Sequence, residues 1–274
     1  MKKVYLLLLM IFGFFSVQAQ RSTFLSRSEL GVHIGQMYYL GDLNPSKQFY
    51  QSNLAGGLMF RYNWQTRMAL RFNYTAGNIE AYDKDSDKPL LVNRNLDFQS
   101  KIHEIAGGIE FYHSQFQIGN KRHFGTFYFL TQIGLFYMNP TTSYNGETVE
   151  LNEIGTEGQG SSLNKKRKYN NLQLCVPLGV GGKISLGKFA TFNLDIAIRK
   201  TFTDYLDDVA SDSYLDPTAL SSVNGTTAAA LSNRSLDGSR FGKRGNSTTK
   251  DWYVYCGGMV TIKLGKGGGC PRPQ

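Results

Sequence analysis

The sequence predicts an all-β fold, namely an eight-stranded antiparallel transmembrane β-barrel with long extracellular loops and short periplasmic turns. Three observations indicate this fold. Eight segments alternate apolar and polar residues with a period of two, and the connections between them alternate between long and short. After the N-terminal region, no stretch approaches 18 consecutive apolar residues, so the sequence predicts no transmembrane helix.

The composition suits membrane strands better than a soluble core. The chain has 18 Phe, 16 Tyr and 30 Gly, yet its mean hydropathy is only −0.31. Such a balance is typical of strands with one apolar and one polar face. The formal net charge of +9, or +7 without Lys2 and Lys3, could indicate nucleic acid. The export signal described next favours anionic lipid head groups as the counterpart instead.

The N-terminal residues have the pattern of a secretory signal peptide. Lys2 and Lys3 give a positive start, Val4–Phe15 is apolar, and Val17-Gln18-Ala19 offers a cleavage site without a following Cys. We therefore expect a signal peptide over 1–19, the barrel over 20–264 and a periplasmic C-terminal tail over 265–274. A membrane anchor is the alternative, although the apolar run is short for a span.

Each predicted strand has an apolar face and a polar or small face. The segments are Glu29–Leu40, Asn53–Tyr62, Arg67–Ala76, Lys101–His113, Phe124–Tyr137, Asn170–Ile184, Phe189–Thr201 and Trp252–Leu264. In the fifth segment, for example, Phe127, Phe129, Ile133 and Leu135 share one face. A soluble β-sandwich would alternate in the same way. Charges of both signs at mid-strand and the alternating connections favour a barrel in lipid.

The connections predict the orientation of the barrel. The tight turns are Asn63–Thr66 and Ser185–Lys188, whereas Gly77–Ser100, Met138–Tyr169 and Phe202–Asp251 are long. Outer-membrane barrels place short turns in the periplasm, and an even strand count puts both termini there. The predicted location is therefore the cell outer membrane. The polar stretches Tyr144–Lys168 and Asp216–Gly245 are expected to be disordered or mobile without partners.

Charged residues on the polar faces predict a closed interior. An eight-stranded barrel has room inside only for its own side chains. The predicted lumen ion pairs are formed by Arg61, Arg71, Glu104, Glu110, Asp195 and Arg199. Buried charges must pair and hydrogen-bond, so these residues form a structural plug. A pore lined by the same residues is the alternative.

The sequence predicts no enzyme and no cofactor. His33, His103, His113 and His123 lie in or beside different strands, with no nucleophile and carboxylate pattern around them. Five aspartates follow the seventh strand, namely Asp204, Asp207, Asp208, Asp212 and Asp216. They could pair with Arg199, Arg240 or Arg244, or bind calcium. The basic run Lys165–Lys168 could bind lipid phosphates or be a solvated loop end.

Three motifs resemble those of a known family. Tyr38–Pro45 closes the first strand, Arg199–Val209 closes the seventh, and Arg244–Asn246 with Lys250–Tyr253 opens the eighth. The chain resembles the PorG-type outer-membrane barrels of the type IX secretion system in Bacteroidota, from about Glu29 to the end. The motif residues that we single out are Tyr39, Gly41, Asp42, Asn44, Asp204, Tyr205, Asp207, Asp208, Arg244 and Trp252.

Barrel closure makes the first and eighth strands neighbours, so the three motifs should meet at one outer corner. Asp42, Asp204, Asp207 and Arg244 could form one ionic cluster there. The loop stretches Tyr144–Lys168 and Pro217–Lys243 depart from the family pattern.

The resemblance implies a non-enzymatic component of protein transport and, in gliding species, of gliding motility. It also implies contact with a periplasmic ring of a PorK-like lipoprotein and a PorN-like protein. The alternatives are a small-solute channel similar to OmpW-type barrels and a purely structural outer-membrane barrel. A lipid-modifying enzyme barrel would need a nucleophile, a His and a carboxylate at one rim.

The odd number of cysteines predicts a thiol without an intrachain partner. By strand alternation Cys175 faces the lumen and Cys256 faces lipid, so the two cannot form a disulfide. Cys270 follows the flexible segment 266–269 and precedes two prolines. We expect Cys270 to be a partner-binding residue, through an intermolecular disulfide to a periplasmic protein such as the ring lipoprotein. A spare thiol on a frayed tail is the alternative.

Overall fold

The computed structural model describes residues 27–164 and 167–265, and most of them belong to one closed sheet. The barrel strands are β1 (Ser28–Leu40), β2 (Asn53–Gln65), β3 (Met68–Tyr82), β4 (Asp97–Tyr112), β5 (Gly125–Tyr137), β8 (Leu172–Leu186), β9 (Ala190–Thr201) and β10 (Trp252–Lys263). A hairpin of β6 (Pro140–Tyr144) and β7 (Glu147–Glu150) lies between β5 and β8. No helix in the described residues has the length and apolar character to cross a membrane.

Antiparallel pairing of neighbours closes the sheet. Each barrel strand pairs with the barrel strand before it, and β1 pairs with β10. The closing register sets Val32 opposite Val260 and Leu40 opposite Trp252. The prediction of an eight-stranded antiparallel β-barrel is therefore confirmed.

The alternation along the strands sends apolar side chains outward. On β5, Phe127 is 74% exposed and Ile133 70%, whereas the intervening Tyr128 is 1% exposed and Gln132 2%. A soluble β-sandwich would bury the Phe and Ile face and expose the Gln face. The outer wall is thus apolar and the lumen contains the polar groups, as the sequence pattern predicts.

Two strands run further than the sequence predicts. The predicted third strand ends at Ala76 and the fourth begins at Lys101, but β3 continues to Tyr82 and β4 starts at Asp97. The two strands stay paired, with Ala81 opposite Phe98, and both of these side chains are fully buried. The predicted loop Gly77–Ser100 is therefore wrong, since only 83–96 connects the strands. Polar residues on the outer face of this extension hide its alternation.

The polar loops have regular structure, contrary to the expectation of disorder. Besides the β6–β7 hairpin, they contain helices α1 (Pro89–Arg94), α2 (Leu151–Ile154), α3 (Pro217–Asn224) and α4 (Thr226–Ser232). Helix α3 begins with a full cap, because the Asp216 carboxylate accepts hydrogen bonds from Thr218 N and Ala219 N and Pro217 follows it. Strand β6 extends the barrel wall by pairing Pro140 with Ser100 of β4. Lys165 and Lys166 lie outside the described residues.

The long connections meet at one end of the barrel. We call segments 41–52, 83–96 and 202–251, with the described part of 138–171, the loop cap. Buried apolar side chains from the cap pack on side chains from the strand ends, among them Tyr39, Leu43, Leu96, Phe98, Phe136, Leu151, Leu206, Val209 and Leu231. These contacts fold the cap down over the mouth of the barrel.

Candidate functional site

Six ionisable side chains fill the half of the lumen nearer the short turns. Arg61 of β2 lies 2.9 Å from Glu29 of β1, and its Nε lies 2.8 Å from Glu110 of β4. Arg71 of β3 lies 3.2 Å from Glu110 and 2.7 Å from Asp195 of β9. These side chains are at most 4% exposed. Glu110 therefore joins two arginines into one chain of ion pairs across the barrel.

Lys183 of β8 completes this set. Its Nζ lies 4.0 Å from Glu29 Oε1, donates to the Tyr112 hydroxyl at 2.8 Å and stands 4.1 Å from the Phe116 ring centroid. We call Glu29, Arg61, Arg71, Glu110, Lys183 and Asp195 the lumen network. It contains three carboxylates and three cations, so its formal charge is zero. The sequence did not single out Glu29 and Lys183 as a pair, although both have the inward parity of their strands.

A second ion pair lies closer to the loop cap. Arg199 Nε lies 3.1 Å from Glu104 Oε2, which also accepts a hydrogen bond from the Tyr253 hydroxyl at 2.7 Å. His33 lies between the two sets, with Nε2 3.1 Å from the Tyr74 carbonyl and Nδ1 2.9 Å from the Tyr255 hydroxyl. Because Nε2 faces a carbonyl, it donates, and Nδ1 accepts from Tyr255. Both ring nitrogens are occupied by core contacts.

The family motifs meet at the mouth of the barrel around one hydroxyl. Tyr39 Oη lies 2.6 Å from Asp207 Oδ2 and 2.9 Å from Asp251 Oδ1. The other carboxylate oxygens accept from backbone, Asp207 from Val209 N at 2.9 Å and Asp251 from Leu206 N at 3.0 Å. A Cβ at Gly41 would collide with this hydroxyl and with the Asp251 carboxylate. Glycine at position 41 thus leaves room for the contact.

Arg244 connects several segments of the cap, and its ion-pair partner is Glu157 instead of a predicted aspartate. Its Nη1 forms an ion pair with Glu157 and donates to the Asp208 carbonyl at 3.1 Å. Glu157 Oε1 also accepts from Ala210 N at 3.0 Å and Ser211 N at 2.9 Å. The Asp208 carboxylate accepts from Thr156 and from the Tyr169 hydroxyl, the latter at 2.8 Å. Glu157 stands in a polar loop with no pattern of its own, so the sequence did not single it out.

The predicted ionic cluster of Asp42, Asp204, Asp207 and Arg244 does not form as a unit. Asp204 lies 3.2 Å from Lys250, and Asp42 accepts from Asn246 N at 2.8 Å. A bidentate pair that sequence analysis missed lies beside them, with Asp83 accepting from Arg94 Nε at 2.6 Å and Nη2 at 2.7 Å. The reason is geometric. Each carboxylate contacts a donor from the loop beside it, so the carboxylates do not converge on one central cation.

Of the other predicted aspartate pairs, the one between Asp216 and Arg240 is present, whereas Asp212 pairs with Lys243 instead. Asp216 lies 3.9 Å from Arg240, and Asp212 lies 3.2 Å from Lys243. Arg199 pairs with Glu104 in the lumen and takes no part. In the described part of the chain, no group of three or more His, Cys, Asp or Glu side chains could hold a metal ion.

The remaining motif residues shape the loops. The Asn44 amide donates to the Tyr39 and Lys47 carbonyls, both at 2.8 Å, which folds the first loop back on itself. Tyr205 stacks on Tyr169 with 4.7 Å between ring centroids. Trp252 lies apart, because it faces outward beside Lys200, whose Nζ is 5.6 Å from the ring centroid.

Burial favours the protonated form of three carboxyl groups in the cap. The Asp207 and Asp251 pKa values are raised well above their usual range, chiefly because both groups are fully buried. Repulsion from Asp251 and Asp42 adds to this at Asp207, and repulsion from Asp204 and Asp42 adds to it at Asp251. Burial likewise raises the Asp208 pKa to about 7, against the opposing effect of Arg244. One Tyr39 proton cannot serve two carboxylates, so a protonated carboxyl supplies the second hydrogen bond.

Residues 2–271 match the sequence profile of DUF6089, described as a domain of unknown function. The chain belongs to the DUF6089 family. No curated protein matches it.

Solved structures similar to this DUF6089 chain include small barrels. Neisserial surface protein A shares 7% identity, with 87% of this chain and 97% of that chain covered and a TM-score of 0.42. Ail of Yersinia pestis, bound to a heparin analogue, shares 9% identity over 86% and 97% with a TM-score of 0.40. The outer membrane protein OprG from Pseudomonas aeruginosa shares 12% identity over 88% and 98% with a TM-score of 0.37. At these values the likeness concerns the fold and says nothing of function.

The cysteines of this DUF6089 barrel divide between the two faces of the wall. Cys175 is fully buried in the lumen and lies 3.7 Å from the Tyr253 hydroxyl, whereas Cys256 is half-buried on the outward parity of β10. Both are free thiols. Cys270, the predicted partner-binding residue, lies outside the described residues.

In the part of the chain that the structure describes, the arrangement holds strands and loops together. The lumen network and the Arg199–Glu104 pair hold their charged side chains in ion pairs, and the cap carboxylates described above accept hydrogen bonds from backbone or side chains. His103 donates to or accepts from the Tyr74 hydroxyl on the outer wall, and His113 lies beside the β4–β5 turn. In the described residues, the site is therefore a sealed and cross-linked barrel mouth.

Proposed function

We propose that this DUF6089 protein is a non-enzymatic outer-membrane component of a PorG-like type IX secretion machine, and that it anchors partners and does not conduct solutes. The sealed lumen is the observation that carries the proposal. The lumen network and the Arg199–Glu104 pair occupy the interior with buried, mutually neutralised charges. A barrel closed in this way offers surfaces to partners but no path through its centre.

The apolar outer surface of the barrel supports the proposed location in the outer membrane. Apolar side chains surround the barrel, and among the most exposed are Leu54, Ile105, Phe127, Phe129 and Ile133. A wall of this kind is stable only where lipid replaces water. The signal peptide expected over 1–19 lies outside the described residues and remains part of the proposal.

The motifs support the export role. The three segments that resemble PorG-type barrels are the ones that meet around Tyr39, Asp207 and Asp251 at the mouth of the barrel. The same resemblance supports a periplasmic ring of a PorK-like lipoprotein and a PorN-like protein as partners.

The two termini support contact with a periplasmic partner. Strand β1 begins and β10 ends at the short-turn end, where Leu264 N donates to Ser28 O at 2.9 Å. With the long loops outside, both chain ends are periplasmic. The tail with Cys270 would then extend toward the ring, where a disulfide could form with a partner thiol.

Co-purification tests the proposal. An affinity-tagged chain is extracted from native cells in mild detergent, with and without reductant, and the bound proteins are identified by mass spectrometry. We expect the ring lipoprotein and its soluble partner, and a high-mass band that reductant and Cys270→Ser both abolish. The matched control is Cys256→Ser, which should leave the band unchanged. Extraction without ring proteins would contradict the export role.

A further inference from the structure

The short-turn end of the barrel is positively charged without exception in the described residues. Its connecting segments 66–67, 113–124 and 187–189 contain no Asp or Glu. The basic residues there are Arg27, Arg67, Lys121, Arg122, Lys188 and Lys263. Glu29 is the nearest carboxylate in sequence, and it points into the lumen with no exposure. We call these six cations the cationic collar.

Four collar residues have no carboxylate partner in the described part of the chain. The ion pairs within 4.0 Å do not include Arg67, Lys121, Arg122 or Lys188. Arg67, Lys121, Arg122 and Lys188 are all exposed. Their charge is thus available to a ligand and is not used to hold the fold together.

The collar lies at the level of an aromatic belt. Trp64, Phe124 and Phe189 are each more than half exposed, and each stands one to three residues from Arg67, Arg122 or Lys188 along the chain. At about 3.3 Å per residue, the Cα atoms of each such pair are within roughly 10 Å of each other. Aromatic belts mark the edge of the hydrocarbon region, and Lys or Arg beside them reach the phosphate level.

The distribution of the collar indicates what it contacts. A basic residue is present at every junction of this end, namely the β2–β3, β4–β5 and β8–β9 turns and the meeting point of β1 and β10. A protein partner would cover one sector or the flat end, whereas a bilayer surrounds the whole circumference. The opposite rim differs, since Glu80, Lys101 and Lys200 there mix both signs.

We propose that the cationic collar binds the anionic head groups of phospholipids in the membrane leaflet at the short-turn end. Each collar cation would attract a lipid phosphate by charge, and the belt of aromatic rings would hold it at that depth. The inference does not depend on the export role, because it concerns the lipid and not the ring.

The two tryptophans allow the collar to be tested without a foreign probe. The chain has 2 Trp, with Trp64 at the collar and Trp252 at the opposite rim. The full-length variants Trp252→Phe and Trp64→Phe each retain one reporter. Each is folded into vesicles of equal parts phosphatidylglycerol and phosphatidylcholine, with bromine on the acyl chains of one lipid or of the other. Fluorescence quenching then measures which lipid lies beside each Trp.

We expect brominated phosphatidylglycerol to quench Trp64 about threefold or more effectively than brominated phosphatidylcholine, and Trp252 equally with both. The preference at Trp64 should fall in 0.5 M NaCl, since salt screens the collar at about a 4 Å Debye length. It should vanish in a variant with Arg67, Lys121, Arg122 and Lys188 all replaced by Gln. A control with Lys84, Lys88, Arg240 and Lys243 replaced by Gln removes equal charge from the cap and should keep it.

Equal quenching of Trp64 by the two lipids in the unaltered collar would overturn the proposal. So would a preference that survives either the fourfold collar substitution or high salt. If the substituted collar does not fold, the salt series and the comparison of the two reporters still decide the question. Binding of the collar to an acidic protein with no lipid preference would also count against it.

Discussion

Loss of the Glu110 carboxylate should strongly destabilise the barrel. Glu110 bridges Arg61 at 2.8 Å and Arg71 at 3.2 Å, and its side chain is fully buried. Glu110→Gln keeps the shape but leaves the lumen network with two carboxylates, three cations and a net charge of +1. Removing one partner of a buried ion pair costs about 3–5 kcal/mol, so we expect a loss of unfolding free energy in that range.

A double-mutant cycle separates pairing from simple loss of packing. Arg61→Met alone leaves Glu29 and Glu110 in excess by one charge and should cost a similar amount. With both substitutions, Glu29 keeps Lys183 and Arg71 keeps Asp195, so the remaining charges balance. We therefore expect the double variant to cost at least about 2 kcal/mol less than the sum of the single variants.

Urea unfolding in lipid vesicles, followed by Trp fluorescence and by heat-modifiable gel mobility, gives the four free energies. Glu147→Gln on the exposed strand β7 is the matched control and should change stability by about 0.5 kcal/mol or less. Additivity of the two lumen substitutions within about 0.5 kcal/mol would refute the reasoning. It would mean that these side chains are solvated and do not pair in a dry interior.

The loop cap gives two further predictions, both read by hydrogen exchange of peptides from 202–251. Burial raises the folded-state pKa of Asp208 to about 7 from 3.8, so the contribution of Asp208 to cap stability is fully present below about pH 4 and falls by about 4 kcal/mol as the pH rises to about 7. Asp208→Asn should reduce this pH dependence, and an unchanged profile would contradict the burial argument. Tyr39→Phe should speed exchange by the equivalent of about 1–3 kcal/mol, while Tyr38→Phe, which faces the first loop, should not.

The barrel could be predicted because its physics is local. Alternation along each strand fixes which side chains face in, and this rule alone placed residues such as Arg71 and Phe129 on their observed faces. The rule failed where the outer face of β3 is polar, as at Asn78 and Glu80. There the outward positions are not apolar, so the strand does not show the alternation expected of a membrane strand.

The cap could not be predicted in the same way. The Arg94–Asp83 pair depends on a short helix that turns the arginine back, and the Arg244–Glu157 pair joins residues 87 positions apart. The local sequence around these residues does not indicate their partners, because loop packing depends on which surfaces meet after the barrel has closed. Within the lumen, strand alternation predicts which charged side chains point inward. Which of them come into contact depends on the stagger between strands, which the sequence does not show.

Single-channel recording tests the central claim of a sealed barrel most directly. The full-length protein is reconstituted into planar bilayers and the current is followed across a range of voltages. Because the lumen network and the Arg199–Glu104 pair fill the interior, we expect no stepwise conductance above the bare bilayer. Reproducible open-channel steps from the unaltered protein would contradict the sealed lumen and support the small-solute channel instead.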